Sequence, residues 1–156
     1  MLEILFLLAF TLHNVEEALW LPQWSRYAAR FHKEVARNEF HFALIVITML
    51  GYLITFLYLY FPCSIVRFTY LGFVLMMCLN SVFPHLIATV VLRRYAPGTI
   101  TGLFLFLPVG SALITGAVHG SGEWPYLAGA GAAVSAVTIL FLKPLFALGR
   151  HLVKDY

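Results

Sequence analysis

The sequence predicts an all-α integral membrane protein, a five-helix transmembrane bundle with a short interfacial amphipathic helix after helix 1. Three observations carry this. First, of 156 residues 62% are hydrophobic and only 11% charged, with a mean hydropathy of +0.88. Soluble domains carry about 25% charged residues, and a water-facing surface of this composition would be covered in apolar patches. Second, five segments each supply the roughly 20 apolar residues that a helix needs to cross hydrocarbon. Third, all but one of the ten Lys and Arg residues fall on the same side of those segments.

The expected spans are residues 2–21, 39–61, 64–92, 99–118 and 125–142 of a single transmembrane domain, 1–156. Span 1 carries Glu3, has no basic leader, and has two carboxylates where a cleavage site would stand. It therefore reads as a retained span and not a signal peptide. The connector 23–37 is a segment in its own right. Trp24, Tyr27, Ala28, Phe31 and Val35 share one helical face, and Arg26, Arg30, Lys33 and Arg37 fall opposite. That pattern suits a helix lying on anionic lipid. In span 4, Pro108 lacks the N–H that would bond the Phe104 carbonyl, which predicts a kink. In span 5, Ala128, Gly129, Gly131, Ala132, Ala133, Ser135 and Ala136 allow close helix contact.

The basic residues orient the chain. Arg26, Arg30, Lys33, Arg37, Arg93, Arg94, Lys143, Arg150 and Lys154 lie on one side and Arg67 on the other. Positive charge marks the cytoplasmic side, so the N-terminus faces out and the C-terminus in. The expected location is a bacterial cytoplasmic membrane. No basic run resembles a nucleic-acid footprint. If Cys63 and Cys78 share one helix, their 15-residue separation puts them about 22 Å apart, too far to pair.

An ionisable side chain inside a span costs roughly 2.5–3.5 kcal/mol on insertion scales. Span 1 nevertheless holds His13, Glu16 and Glu17 in the string HNVEE. Both carboxylates are one turn from the histidine and on about the same face. His13 lies about 12 Å in depth from Leu21, and His85 about 12 Å from Arg93. His41 lies near the cytoplasmic start of span 2. Three histidines and two carboxylates from three helices thus share one leaflet. Asn80 and Pro84 precede His85 in NSVFPH. Pro84 frees the Asn80 carbonyl, and irregular backbone at that depth is tolerated only against protein or a cavity. Asn80 and His85 are about 140° apart on an ideal helix, so a kink must bring them together. His32, His119 and His151 read as surface or loop residues.

HNVEE at 13–17, the pair Asn80 and His85, and Tyr95-Ala96-Pro97-Gly98 followed by Thr101 resemble the motifs of the HXXEE-domain membrane proteins. The resemblance spans roughly residues 10–105. It implies a small multipass protein with functional His and Glu, and it supplies no reaction. The Pro-Gly turn also has a physical reading. It leaves Thr99 or Thr101 to cap helix 4, whose free N–H groups could meet an anion.

Three functions suit the cluster. The first is a membrane-embedded metalloenzyme acting on an amphiphilic or lipid-like substrate. His13, Glu17, His41 and His85 would be the metal ligands, Glu16 a general base or further carboxylate ligand, and Asn80 a catalytic side chain. Zinc is the first expectation and non-haem iron the second. The second is metal-free acid–base isomerisation or cyclisation of an isoprenoid-like substrate by a carboxylate in an apolar site. The third is a proton- or ion-coupled transporter, which five spans would serve best as a homo-oligomer. Membrane lipid and a lipophilic small molecule are the expected partners.

Overall fold

Apolar side chains spaced to cover whole helix faces give five helices, each long and apolar enough to cross a membrane. The structure is a computed structural model and describes residues 1–28, 35–61 and 63–153. The helices are α1 (Leu2–Tyr27), α2 (Arg37–Tyr60), α3 (Ser64–Leu92), α4 (Thr99–Ala117) and α5 (Trp124–Leu152). No strand occurs among the described residues.

Helix α3 is central. It packs against α2, α4 and α5, while α1 packs against α2 and α4. One stripe of α1 is buried and includes Phe6, Phe10, His13 and Glu17. The opposite stripe, with Ile4, Leu8, Leu12, Val15 and Leu19, is about half exposed. In lipid such exposure carries no penalty, and helix association depends on packing and interhelical hydrogen bonds. Phe6, Phe10, Phe73 and Phe106 form that packing, with ring centroids 5.4–6.3 Å apart. Aromatic pairs at this spacing contribute about 0.5–1.5 kcal/mol each beyond their burial.

The small residues of α5 serve close packing. A Cβ on Gly72 of α3 would stand 2.7 Å from the backbone of Ala130, so the two helices touch main chain to main chain. The cysteines are unpaired, Cys63 exposed and Cys78 buried.

Two boundaries differ from expectation. Helix α1 does not stop at Leu21 but continues through Pro22 and Trp24 to Tyr27. The first residues of the expected interfacial helix therefore belong to α1, and its middle, 29–34, lies outside the described residues. Helix α5 continues past residue 142, through Lys143 and Pro144, to Leu152. A charge ends an apolar run but does not end a helix. The extra turns carry Arg150 to Glu39 at the start of α2, with contacts of 2.7 and 3.2 Å.

Other ion contacts sort the ends of the bundle. Arg94, just after α3, lies 4.0 Å over the ring of Tyr27 at the end of α1. At the opposite end Arg67 grips Glu123 through two 2.8 Å bonds and also donates to the Ala117 carbonyl. A shallow groove lined by Ser64, Ile65, Phe68, Glu123 and Tyr126 lies at that second end, away from the His/Glu cluster.

Two helices are interrupted where proline removes a donor. In α3 the break falls at Phe83 (φ −124°, ψ 116°), immediately before Pro84. In α4 the expected Pro108 kink takes the form of a widened turn over Gly102–Phe106. Single wide turns of this kind are the usual form that π-helix takes inside α-helices.

Candidate metal centre

The site forms where α1, the second half of α3 and the first turns of α4 meet. Its centre is His13, Glu17 and His85, whose ligand atoms all lie within 4.8 Å of one another. His13 and Glu17 are one turn apart on α1, with Nε2 to Oε1 at 3.7 Å. His85 reaches the same oxygen at 3.0 Å through its own Nε2. The two imidazoles cross edge to face, centroids 5.2 Å apart. The side chains of His13, His85 and Glu17 are 0%, 5% and 12% exposed, so water reaches the group little.

The break at Phe83 supplies the turn that the sequence required. It rotates His85 back so that Asn80 Nδ2 stands 3.1 Å from His85 Nε2. Asn80 is only half-buried, and Phe83, two residues before His85, is 69% exposed.

Glu16 does not point at the same centre. Its carboxylate accepts from the Gly98 N–H at 2.7 Å, the Thr101 N–H at 3.3 Å, the Thr101 hydroxyl at 2.6 Å and the Tyr95 hydroxyl. The free N–H groups at the start of α4 do meet an anion, and that anion is Glu16. Neither threonine caps α4 with its own side chain. Thr99 bonds the Ala96 carbonyl, and Thr101 turns to Glu16. The general-base role expected of Glu16 has no support in this placement, because its oxygens are already taken by four donors. Burial, and then the bond to Glu16, push the Tyr95 hydroxyl up to about 12, so it stays protonated and donates.

The Pro97–Gly98 turn closes the site. Gly98 has φ +91°, and a Cβ there would stand 2.8 Å from Cε1 of both His13 and His85. Only glycine lets the backbone lie this close over the two rings while holding a left-handed conformation.

His41 is not part of the group, although it was expected among the ligands. Its Nε2 contacts the Ala18 carbonyl at 2.8 Å. That carbonyl is the one left without a helical donor by Pro22. His41 therefore repairs α1 where proline interrupts its bonding. His41→Ala is expected to leave the His13, Glu17 and His85 group intact and to lower stability by about 1–3 kcal/mol through an unsatisfied, partly buried carbonyl. Thermal unfolding in detergent alongside metal quantification checks both halves of that expectation.

Sequence reasoning had no signal for Asn14, which ties α1 to Thr48 of α2 at 2.7 Å. Tyr95 was visible only as part of a motif, and Thr101 as part of that motif and as a candidate cap. Their use as donors to Glu16 depends on α4 folding back against α1.

Five helices long and apolar enough to cross a membrane, with His13, Glu16, Glu17 and His85 buried between them, point to a multipass helical membrane protein. The model of the family described as "protein of unknown function with HXXEE motif" matches residues 4–113, and the chain belongs to that family. The matched region includes every residue of the cluster and ends before α5. The chain is 56% identical over 110 residues to the Uncharacterized protein YrkK of Bacillus subtilis (strain 168), a match covering 70% of each chain. No solved structure matches.

Proposed function

We propose that this protein is a membrane-embedded enzyme that holds a divalent metal through His13, Glu17 and His85 and acts on an amphiphilic or lipid-like substrate. The observation that carries the proposal is the convergence of three buried ligand atoms within 4.8 Å. Two ligands about 2.0–2.1 Å from a tetrahedral zinc are about 3.3–3.4 Å apart. The contacts of 3.7 and 3.0 Å to Glu17 bracket that spacing. His13 Nε2 is buried with no hydrogen-bond partner, which fits an atom that serves a cation. Two histidines and one carboxylate suit catalytic zinc, and equally the facial triad of non-haem iron. Either metal leaves positions for water or substrate and supplies Lewis acidity and an activated water.

Within this reading Glu17 and the two histidines bind, and Asn80 orients. Nε2 of His85 has one lone pair, so it cannot serve both the Asn80 amide and a metal. With a metal held at Nε2, that amide would be free for an incoming group. Phe83, 69% exposed and two residues before His85, supports an apolar substrate approaching from that side. The side toward the bundle interior is filled by Phe106, 5.0 Å from His13, and by Phe6 and Phe10 beyond it. That packing favours a site open to one side over a two-sided transport path.

A second reading is metal-free acid–base catalysis. It is favoured by the 3.0 Å contact between His85 and Glu17, which is hydrogen-bond length when a proton is shared. Purification in mild detergent, followed by metal and lipid analysis by mass spectrometry, separates the two. One zinc or iron per chain supports the metalloenzyme. No metal with a co-purified lipid moves the assignment to acid–base chemistry, and no metal with no lipid removes both.

We place the cluster in the cytoplasmic leaflet of a bacterial membrane, N-terminus outside, on the distribution of Lys and Arg. In a cysteine-accessibility scan, positions near Arg94 and Arg150 are expected to react only after the membrane is permeabilised. Labelling of either from outside in intact cells reverses the orientation.

A further inference from the structure

We propose that Glu16, acting through the Thr101 hydroxyl, fixes His13 as the Nδ1–H tautomer and so aims the Nε2 lone pair at Glu17 and His85. The tautomer follows from proton accounting. The Thr101 hydroxyl has one hydrogen. It lies 2.6 Å from Glu16 Oε2 and 3.5 Å from the Gly98 carbonyl, so it donates to the carboxylate. Glu16 itself accepts from four donors and offers no hydrogen in return. Toward His13 Nδ1, 2.9 Å away, the threonine oxygen therefore presents a lone pair. Nδ1 must carry the hydrogen, and in a neutral imidazole Nε2 then has none.

The far side of the ring fits this assignment. His13 is fully buried, and Nε2 has no hydrogen-bond partner. An N–H there would be a buried donor without an acceptor at bonding distance, since Glu17 is 3.7 Å away. His13 Nε2 and the Glu17 carboxylate then face each other as two acceptors with no hydrogen between them. Metal-binding histidines are held in this way, with the remote N–H tied to a carboxylate, a carbonyl or an intervening group that sets ring orientation and tautomer. Thr101 relays the carboxylate. Glu16 and Thr101 are thus positioning residues, and the Tyr95 and Gly98 donors hold Glu16 in register.

The tautomer stands on hydrogen bonding alone, and only its consequence for metal affinity rests on the metal-centre reading. The test uses the full-length protein in detergent, labelled with 15N-histidine and stripped of metal. His13 is assigned by the signal missing in His13→Ala. Wild type is expected to show protonated Nδ1 and unprotonated Nε2 at this residue. Thr101→Val, nearly the same shape, is expected to lose the single tautomer and to bind zinc or cobalt about 10–100-fold more weakly, the usual effect of removing such a support. Thr101→Ser retains the hydroxyl and is expected to keep both properties. Nε2–H on wild-type His13 overturns the proposal with no variant needed, as does unchanged tautomer and affinity in Thr101→Val. Failure of Thr101→Ser to keep the wild-type tautomer also overturns it. If the wild type binds no metal, the NMR readout still decides the tautomer, and the failure belongs to the metal reading.

Discussion

His13→Ala and His85→Ala proteins, purified in mild detergent, are each expected to lose bound metal, with affinity down by more than about 100-fold. Removing a supporting partner of a ligand already costs 10–100-fold, and removing a ligand costs more. The argument is geometric. Each histidine supplies one of the three atoms that converge, and the remaining two cannot enclose a cation. The bundle should survive both changes. His13 and His85 border the apolar core, which runs on through Phe6, Phe10, Tyr70, Val74 and Phe106. Metal content by mass spectrometry, with helicity by circular dichroism on the same samples, separates lost ligation from lost fold. Wild-type metal content in both variants would sink the shared centre.

Gly98→Ala is expected to damage both the fold and the site. The position has φ +91°, and alanine there carries strain of about 1–3 kcal/mol. The new Cβ would also stand 2.8–2.9 Å from His13 Cε1, His85 Cε1 and His85 Nδ1, so either the turn lifts or the rings are pushed apart. Both outcomes disturb Glu16, because the Gly98 N–H is one of its donors at 2.7 Å. The expected result is lower thermal stability together with weakened metal binding. Gly116→Ala, on α4 with nothing near its added Cβ, is the control and should change neither. Equal behaviour of the two variants would show that the Pro97–Gly98 turn does not cover the site.

The spans were legible because hydropathy is a sum over many residues and tolerates local errors. Helix ends were less so. Lys143 ends an apolar run, yet α5 continues because its last turns pair with α2 through Arg150 and Glu39. The cluster on α1 was legible from spacing, since His13 and Glu17 differ by one turn wherever the helix goes. Depth along the membrane also matched His85 to that cluster. Depth alone misled for His41, which lies at the right level but turns to the Ala18 carbonyl. Rotation about a helix axis and the carbonyl freed by Pro22 are not summed properties, and hydropathy does not register them. Glu16 shows the same limit. The sequence offered an anion one residue from Glu17 and a helix start with free N–H groups, and only the packing of α4 on α1 joins the two.

X-ray absorption at the metal edge of the purified wild-type protein tests the central claim most directly. The predicted spectrum has two imidazoles and further oxygen ligands in the first shell, and no sulfur, because neither cysteine belongs to the ligand group. A sulfur-rich shell, an all-oxygen shell without imidazole, or no bound metal would contradict the assignment of His13, Glu17 and His85 as a metal centre.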